Sequence, residues 1–167
     1  VTIQPLQWVE TDRNAHLRRD GKFIAPDLKS RLVGCGNFEE TDGIRTDSPA
    51  GDVDSHNLIF SWCASHKVMI RSADISNAYL QGNEVDRIIL YRIPKGGIPE
   101  EGIEEGTVIA ARVPTYGTKD AGRGCWLRLK EVVLSRGYKT NQILPTMFTL
   151  AREGNICAVM SSNVDDL

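Results

Sequence analysis

The chain has 167 residues, 41% of them apolar, and a formal net charge of −2. That length suits one domain of the common size of about 100–150 residues, and the apolar content is adequate for a core. The near-zero charge offers no global case for a polyanionic partner; no signal peptide is expected, and the sequence holds no apolar run of the roughly 20 residues that a membrane-spanning helix needs.

In chain order, Trp8–Leu17 and Lys22–Val33 read as two extended segments around Asp20-Gly21, a pair that supports the positive φ of a tight hairpin turn. Ser48-Pro49 marks a break. Leu58, Ile59, Trp62 and Cys63 then recur at helical spacing, which predicts a helix over Val53–Ser65. Val68–Ile75 alternates like a strand and carries Asp74 at its end. A short helical turn through Asn77-Ala78-Tyr79-Leu80 closes at Gly82. Ile88–Ile93 and Thr107–Val113 are β-rich, the first stopped by Pro94 and Gly96-Gly97. Thr118–Arg136 is the strongest helix, with Ala121, Cys125, Leu129, Val132 and Val133 on one face. Its other face gathers Lys119, Arg123 and Lys130 around Trp126, a pattern that suits a phosphate backbone with a stacked base, although taken alone it reads first as the wet basic side of an ordinary amphipathic helix. Gly122 and Gly124 in its first turns weaken it and imply close approach of a neighbour or ligand. Met147–Arg152 and Ile156–Met160, joined at Glu153-Gly154-Asn155, form a strand pair. Strands with interposed helices predict an α+β fold.

Four cysteines (Cys35, Cys63, Cys125, Cys157) lack a CxxC pair, and His16, His56 and His66 lack HExxH spacing. A zinc site is therefore not expected, and reduced thiols in an intracellular protein are. Charge is segregated: residues 13–31 carry net +4 and residues 112–139 net +5, with acidic loops between them. Such a distribution can track a polyanion on one side or form two solvated faces. Asp74 and the pair Asp165-Asp166 follow separate apolar runs. Carboxylates at the ends of separate strands suit Mg²⁺, which prefers oxygen ligands, and two-ion phosphoryl transfer. The plainer alternative for the pair is solvated charge at a chain end.

Four stretches in order resemble the reverse transcriptase of Ty1/copia-type retrotransposons. They are Leu28-Lys29-Ser30-Arg31-Leu32-Val33-Gly34-Cys35-Gly36, Asp74-Ile75-Ser76-Asn77-Ala78-Tyr79-Leu80-Gln81-Gly82, Tyr116-Gly117-Thr118-Lys119-Asp120-Ala121-Gly122-Arg123-Gly124-Cys125-Trp126, and Asn163-Val164-Asp165-Asp166. Flanking pieces fit as well: Trp8-Val9, Thr46-Asp47-Ser48-Pro49, and Leu90 to Gly96. The resemblance spans nearly the whole chain. It implies the fingers and palm of a polymerase-like fold, C-terminally truncated, with residues 1–66 and 83–115 on the fingers side and 67–82 and 116–167 in the palm.

The resemblance also implies roles. Asp74, Asp165 and Asp166 would be catalytic and hold two Mg²⁺ ions, or Mn²⁺ in their place. Lys29 and Arg31 would hold the triphosphate of a dNTP, both side chains suiting phosphate. Tyr79, beside Ala78, would be the steric gate that leaves no room for a 2′-hydroxyl; otherwise its ring is a core aromatic. Gly117, Lys119 and Arg123 would lie near an RNA or DNA template with its primer. The remaining partner would be the rest of a retroelement polyprotein, with no membrane. The site of action would be intracellular, in the cytoplasm, a virus-like particle or the nucleus. Asn163 departs from the aromatic residue usual there, and Asp120 from the usual Gln, setting a negative charge near where phosphate or template should lie. A relic that binds nucleic acid without polymerising is the alternative reading. A metal-dependent nuclease fits the carboxylates but leaves Lys29, Arg31 and Tyr79 without a role.

Overall fold

In the computed structural model, which describes residues 2–21, 23–40 and 42–163, the predicted N-terminal hairpin is present. Strands β1 (Ile3–Asp12) and β2 (Leu28–Gly34) pair antiparallel from Leu6 opposite Gly34 to Asp12 opposite Leu28. Their connection is longer than the two-residue turn expected. It contains a 3-10 helix (His16–Asp20) on which Gly21, at φ 73°, acts as the left-handed cap. Asp12 organises this loop: its carboxylate accepts from the backbone N–H groups of Asn14 and Asp27 and pairs with Arg18.

Strand β3 (Ile89–Arg92) runs parallel to β1, and β4 (Val108–Ala111) antiparallel to β3, giving the order β2-β1-β3-β4. A parallel pair needs a long connection, and the chain from β1 to β3 runs through β2 and then residues 35–88. Leu6, Ile89, Tyr91 and Ile93 are the buried core of this sheet, with Leu32 and Ile109 packed alongside.

Helix α1 (Val53–His66) starts where Asp52 caps it, its carboxylate accepting from the Ser55 N–H at 2.6 Å. Cys63 and Ser55 are buried and Ile59 and Trp62 half-buried, whereas Leu58, expected on the packed face, is exposed. The expected strand over Val68–Ile75 is not formed. Only Asp74 occupies a β-bridge position, and Val68, Met69 and Ile70 are exposed. A strand requires a ladder partner, and among the described residues none is paired along 68–73.

The helical turn is a 3-10 helix at Ala78–Gln81, closed by Gly82. Helix α2 (Ala121–Ser135) buries Ala121, Cys125, Leu129 and Val133; Val132, expected with them, is 41% exposed. Beneath it, β5 (Lys139–Thr140), β6 (Met147–Arg152) and β7 (Asn155–Ser161) form an antiparallel sheet. Glu153 and Gly154 both take positive φ in the two-residue β6–β7 turn, as a hairpin of right-handed strand twist demands. Leu129, Val133 and Phe148 make this second core, against which Ile75, Tyr138 and Met160 pack. The molecule is thus of mixed α and β structure, as expected, and no described helix is long and apolar enough to cross a membrane.

Candidate active site

Alternation along β2 sets Lys29, Arg31 and Val33 on one face, opposite the one whose Leu32 enters the core. Val33 ends that row against Gly117: a Cβ placed on Gly117 would lie 2.6 Å from Val33 Cγ1 and would overlap the carbonyl oxygen of Gly34. Gly117 has φ 91°, a conformation open to glycine and costly for other residues. The contact is sealed by the Gly34 N–H donating to the Tyr116 carbonyl at 2.7 Å. Gly36 repeats the close approach, since a Cβ there would overlap the Gly117 carbonyl. The first and third motifs of the sequence therefore meet backbone to backbone.

The second motif joins them through an aromatic pair. Tyr79 meets Tyr116 edge-on, with ring centroids 4.9 Å apart. Ala78, in the same turn, is buried, while Asp74 on the approach to it is exposed. Ile75, next to Asp74, packs on the same cluster as Met160 of β7, so the segment bearing Asp74 and the strand leading to Asn163 share one support. Asp165 and Asp166 lie outside the described residues. Among the described residues no three His, Cys, Asp or Glu side chains gather to hold a cation. Asp74 offers an exposed carboxylate, the hard oxygen donor that Mg²⁺ takes, so its chemistry fits the implied ions.

Lys119 and Arg123 are engaged within the chain. The Lys119 ammonium donates to the Glu39 carbonyl at 3.0 Å and its N–H to the Glu39 carboxylate at 2.9 Å. Arg123 donates to the Asp47 carboxylate at 2.7 Å. Asp47 also takes both nitrogens of the Arg45 fork, and that hydrogen bonding holds its carboxyl below the usual range. Lys130 sits over the Trp126 ring, 4.9 Å from its centroid. On the basic face of α2 and its entry, Arg123 is thus ion-paired, while Lys119 meets a carbonyl and Lys130 an aromatic ring.

Asp120, the departure from the usual Gln, is ion-paired at the entry to α2. Its carboxylate is buried and accepts from Arg87 at 2.8 Å, and the same guanidinium pairs with Glu39 at 2.5 Å. Its negative charge is thus paired with Arg87 inside the protein. Burial alone would lower the Arg87 pKa, but the hydrogen bonds and charges of Asp120 and Glu39 outweigh it and the net shift is upward. Sequence reasoning missed this cluster, because nothing in the spacing of Glu39, Arg87 and Asp120 links them. The glycines at 34, 36 and 117, whose close approach the structure shows, were not singled out for it in the sequence.

The site thus combines a strand face bearing Lys29 and Arg31, an aromatic turn at Tyr79 and an exposed carboxylate at Asp74. A family model described as reverse transcriptase (RNA-dependent DNA polymerase) matches residues 2–167, and the chain belongs to that family. Two curated relatives from Arabidopsis thaliana, the retrovirus-related Pol polyproteins from transposons RE1 and RE2, are each 27% identical over 170 residues. Those matches cover 100% of this chain but 11% of each relative, so the chain spans about a tenth of their length. No solved structure matches it. The resemblance drawn from the four motifs is borne out.

Proposed function

We propose that this domain is the fingers and palm of an RNA-directed DNA polymerase that adds dNTPs to a primer 3′-hydroxyl and releases pyrophosphate. The observation that carries the reading is the meeting of three motifs: the Val33–Gly36 stretch of the motif that also carries Lys29 and Arg31, Gly117 beside Tyr116, and the Tyr79 turn that follows Asp74. Residues 1–66 and 83–115 form the fingers side and 67–82 with 116–167 the palm. Lys29 and Arg31 bind the triphosphate, one as a point charge and one as a planar fork. Tyr79, braced edge-on by Tyr116, lies beneath the sugar and excludes a 2′-hydroxyl. Gly117 lets template or nucleotide approach the backbone. Lys119 and Arg123 border the same region while anchoring it to Glu39 and Asp47.

Asp74, Asp165 and Asp166 would hold two Mg²⁺ or Mn²⁺ ions, which supply Lewis acidity for the attacking and leaving oxygens when bound. The chain's own contribution is positioning and fixed charge, which suffices for much of phosphoryl transfer. The partners are a primed RNA or DNA template, dNTPs and the remainder of a retroelement polyprotein, acting in the cytoplasm, a virus-like particle or the nucleus.

Primer extension on an RNA template with dNTPs and Mg²⁺ tests this. Asp74→Asn should lower extension at least roughly a hundredfold, the scale on which loss of a fixed electrostatic stabiliser acts. Template binding without extension by the folded protein would favour the relic, a reading motivated by Asn163 in place of an aromatic residue. Degradation of the template would favour the nuclease.

A further inference from the structure

The Glu39–Arg87–Asp120 cluster joins three stretches distant in sequence: the turn after β2, the approach to β3 and the entry to α2. The Glu39 and Asp120 side chains are 3% and 11% exposed, and one guanidinium serves both. Glu39 also accepts the backbone N–H of Lys119 and, through its carbonyl, the Lys119 ammonium. Both carboxylates depend on the single Arg87 guanidinium for their ion pairs. Removing Arg87 leaves two buried carboxylates facing one another without a counter-charge, a strongly unfavourable arrangement. The two backbones it spans are those that meet at Gly34, Gly36 and Gly117.

We propose that Arg87 is a positioning residue for nucleotide binding: by holding Glu39 and Asp120 together it fixes the Gly34–Gly36 backbone, and with it the strand that bears Lys29 and Arg31, against Tyr116–Lys119. Arg87 itself touches neither nucleotide nor template. The proposal rests on the polymerase reading for its consequence, and on the contacts themselves for its physical content.

Two measurements on the protein as encoded separate these. Backbone hydrogen exchange should show the Gly34 and Lys119 amides opening at least about tenfold faster in Arg87→Met, with the β6–β7 amides unchanged. Arg87→Lys, which keeps the charge but loses the fork, should fall between wild type and Arg87→Met. In primer extension, the dNTP KM should rise about five- to tenfold in Arg87→Met while kcat stays within about threefold, the signature of lost ground-state binding. Unchanged exchange at Gly34 and Lys119, or acceleration spread evenly into β6–β7, overturns the proposal. So does a lowered kcat at constant dNTP KM. If the wild-type protein extends no primer, the polymerase reading fails, while hydrogen exchange still decides whether Arg87 holds the two backbones in register.

Discussion

Replacing Gly117 by Ala imposes two separable penalties. The first is conformational: at φ 91° an L-residue costs about 1–2 kcal/mol. The second is steric, because the new Cβ overlaps the Gly34 carbonyl oxygen and lies 2.6 Å from Val33 Cγ1. Backbone atoms cannot step aside as a flexible side chain can, so β2 and the Tyr116–Thr118 segment must separate. That separation breaks the 2.7 Å bond from the Gly34 N–H to the Tyr116 carbonyl, and leaving such groups unpaired costs about 1–3 kcal/mol. The sum is roughly 2–5 kcal/mol, a large part of a stability of about 5–15 kcal/mol. Gly106→Ala is the matched control, since Gly106 has φ 79° and open space where its Cβ would stand. Gly36→Ala supplies the steric penalty without positive φ. Urea denaturation of the three variants, read as midpoint shifts at constant m, measures each. The reasoning predicts that Gly117→Ala loses more stability than either Gly106→Ala or Gly36→Ala; equal losses at Gly117 and Gly106 would refute the close approach.

Phe148→Ala removes a ring with 0% exposure from the core under α2 and should cost about 3–5 kcal/mol, measured by the same denaturation. Tyr79→Ala should raise ribonucleotide incorporation at least about tenfold, a change of about 1.4 kcal/mol in discrimination; unchanged sugar selectivity in a competition assay would remove the steric-gate role. Burial raises the Tyr91 pKa, opposed by the Thr115 hydroxyl that donates to it. A group raised in the folded state contributes stability that is complete below its unfolded value of about pH 10 and is lost as pH climbs through the folded one. The alkaline limb of a stability–pH curve should therefore lose this component in Tyr91→Phe.

Periodicity and turn chemistry carried much of the fold into the sequence. Helices α1 and α2 and the β6–β7 hairpin follow from spacing and from Glu153-Gly154, because local geometry decides them. Val68–Ile75 did not follow, since alternation describes a strand's faces but not whether a neighbour lies alongside to complete its ladder. The Asp20-Gly21 signal was read as a hairpin turn, but the loop is held by Asp12 reaching along it, a contact no local pattern encodes. At the site, the close approach of Gly34, Gly36 and Gly117 was not read from the sequence, because a glycine does not name the backbone that will pack on it. Glu39, Arg87 and Asp120 gave no sign at all, because ordinary charged residues acquire meaning only once folding buries them together.

Whether Asp74, Asp165 and Asp166 share metal ions can be read by replacing Mg²⁺ with Fe²⁺ and mapping backbone cleavage by the hydroxyl radicals it generates. Shared coordination predicts cuts clustered near residue 74 and near residues 163–166, all suppressed by excess Mg²⁺ and all lost together in Asp74→Asn. Cleavage near 163–166 that persists undiminished in Asp74→Asn, or cuts confined to other parts of the chain, would contradict it.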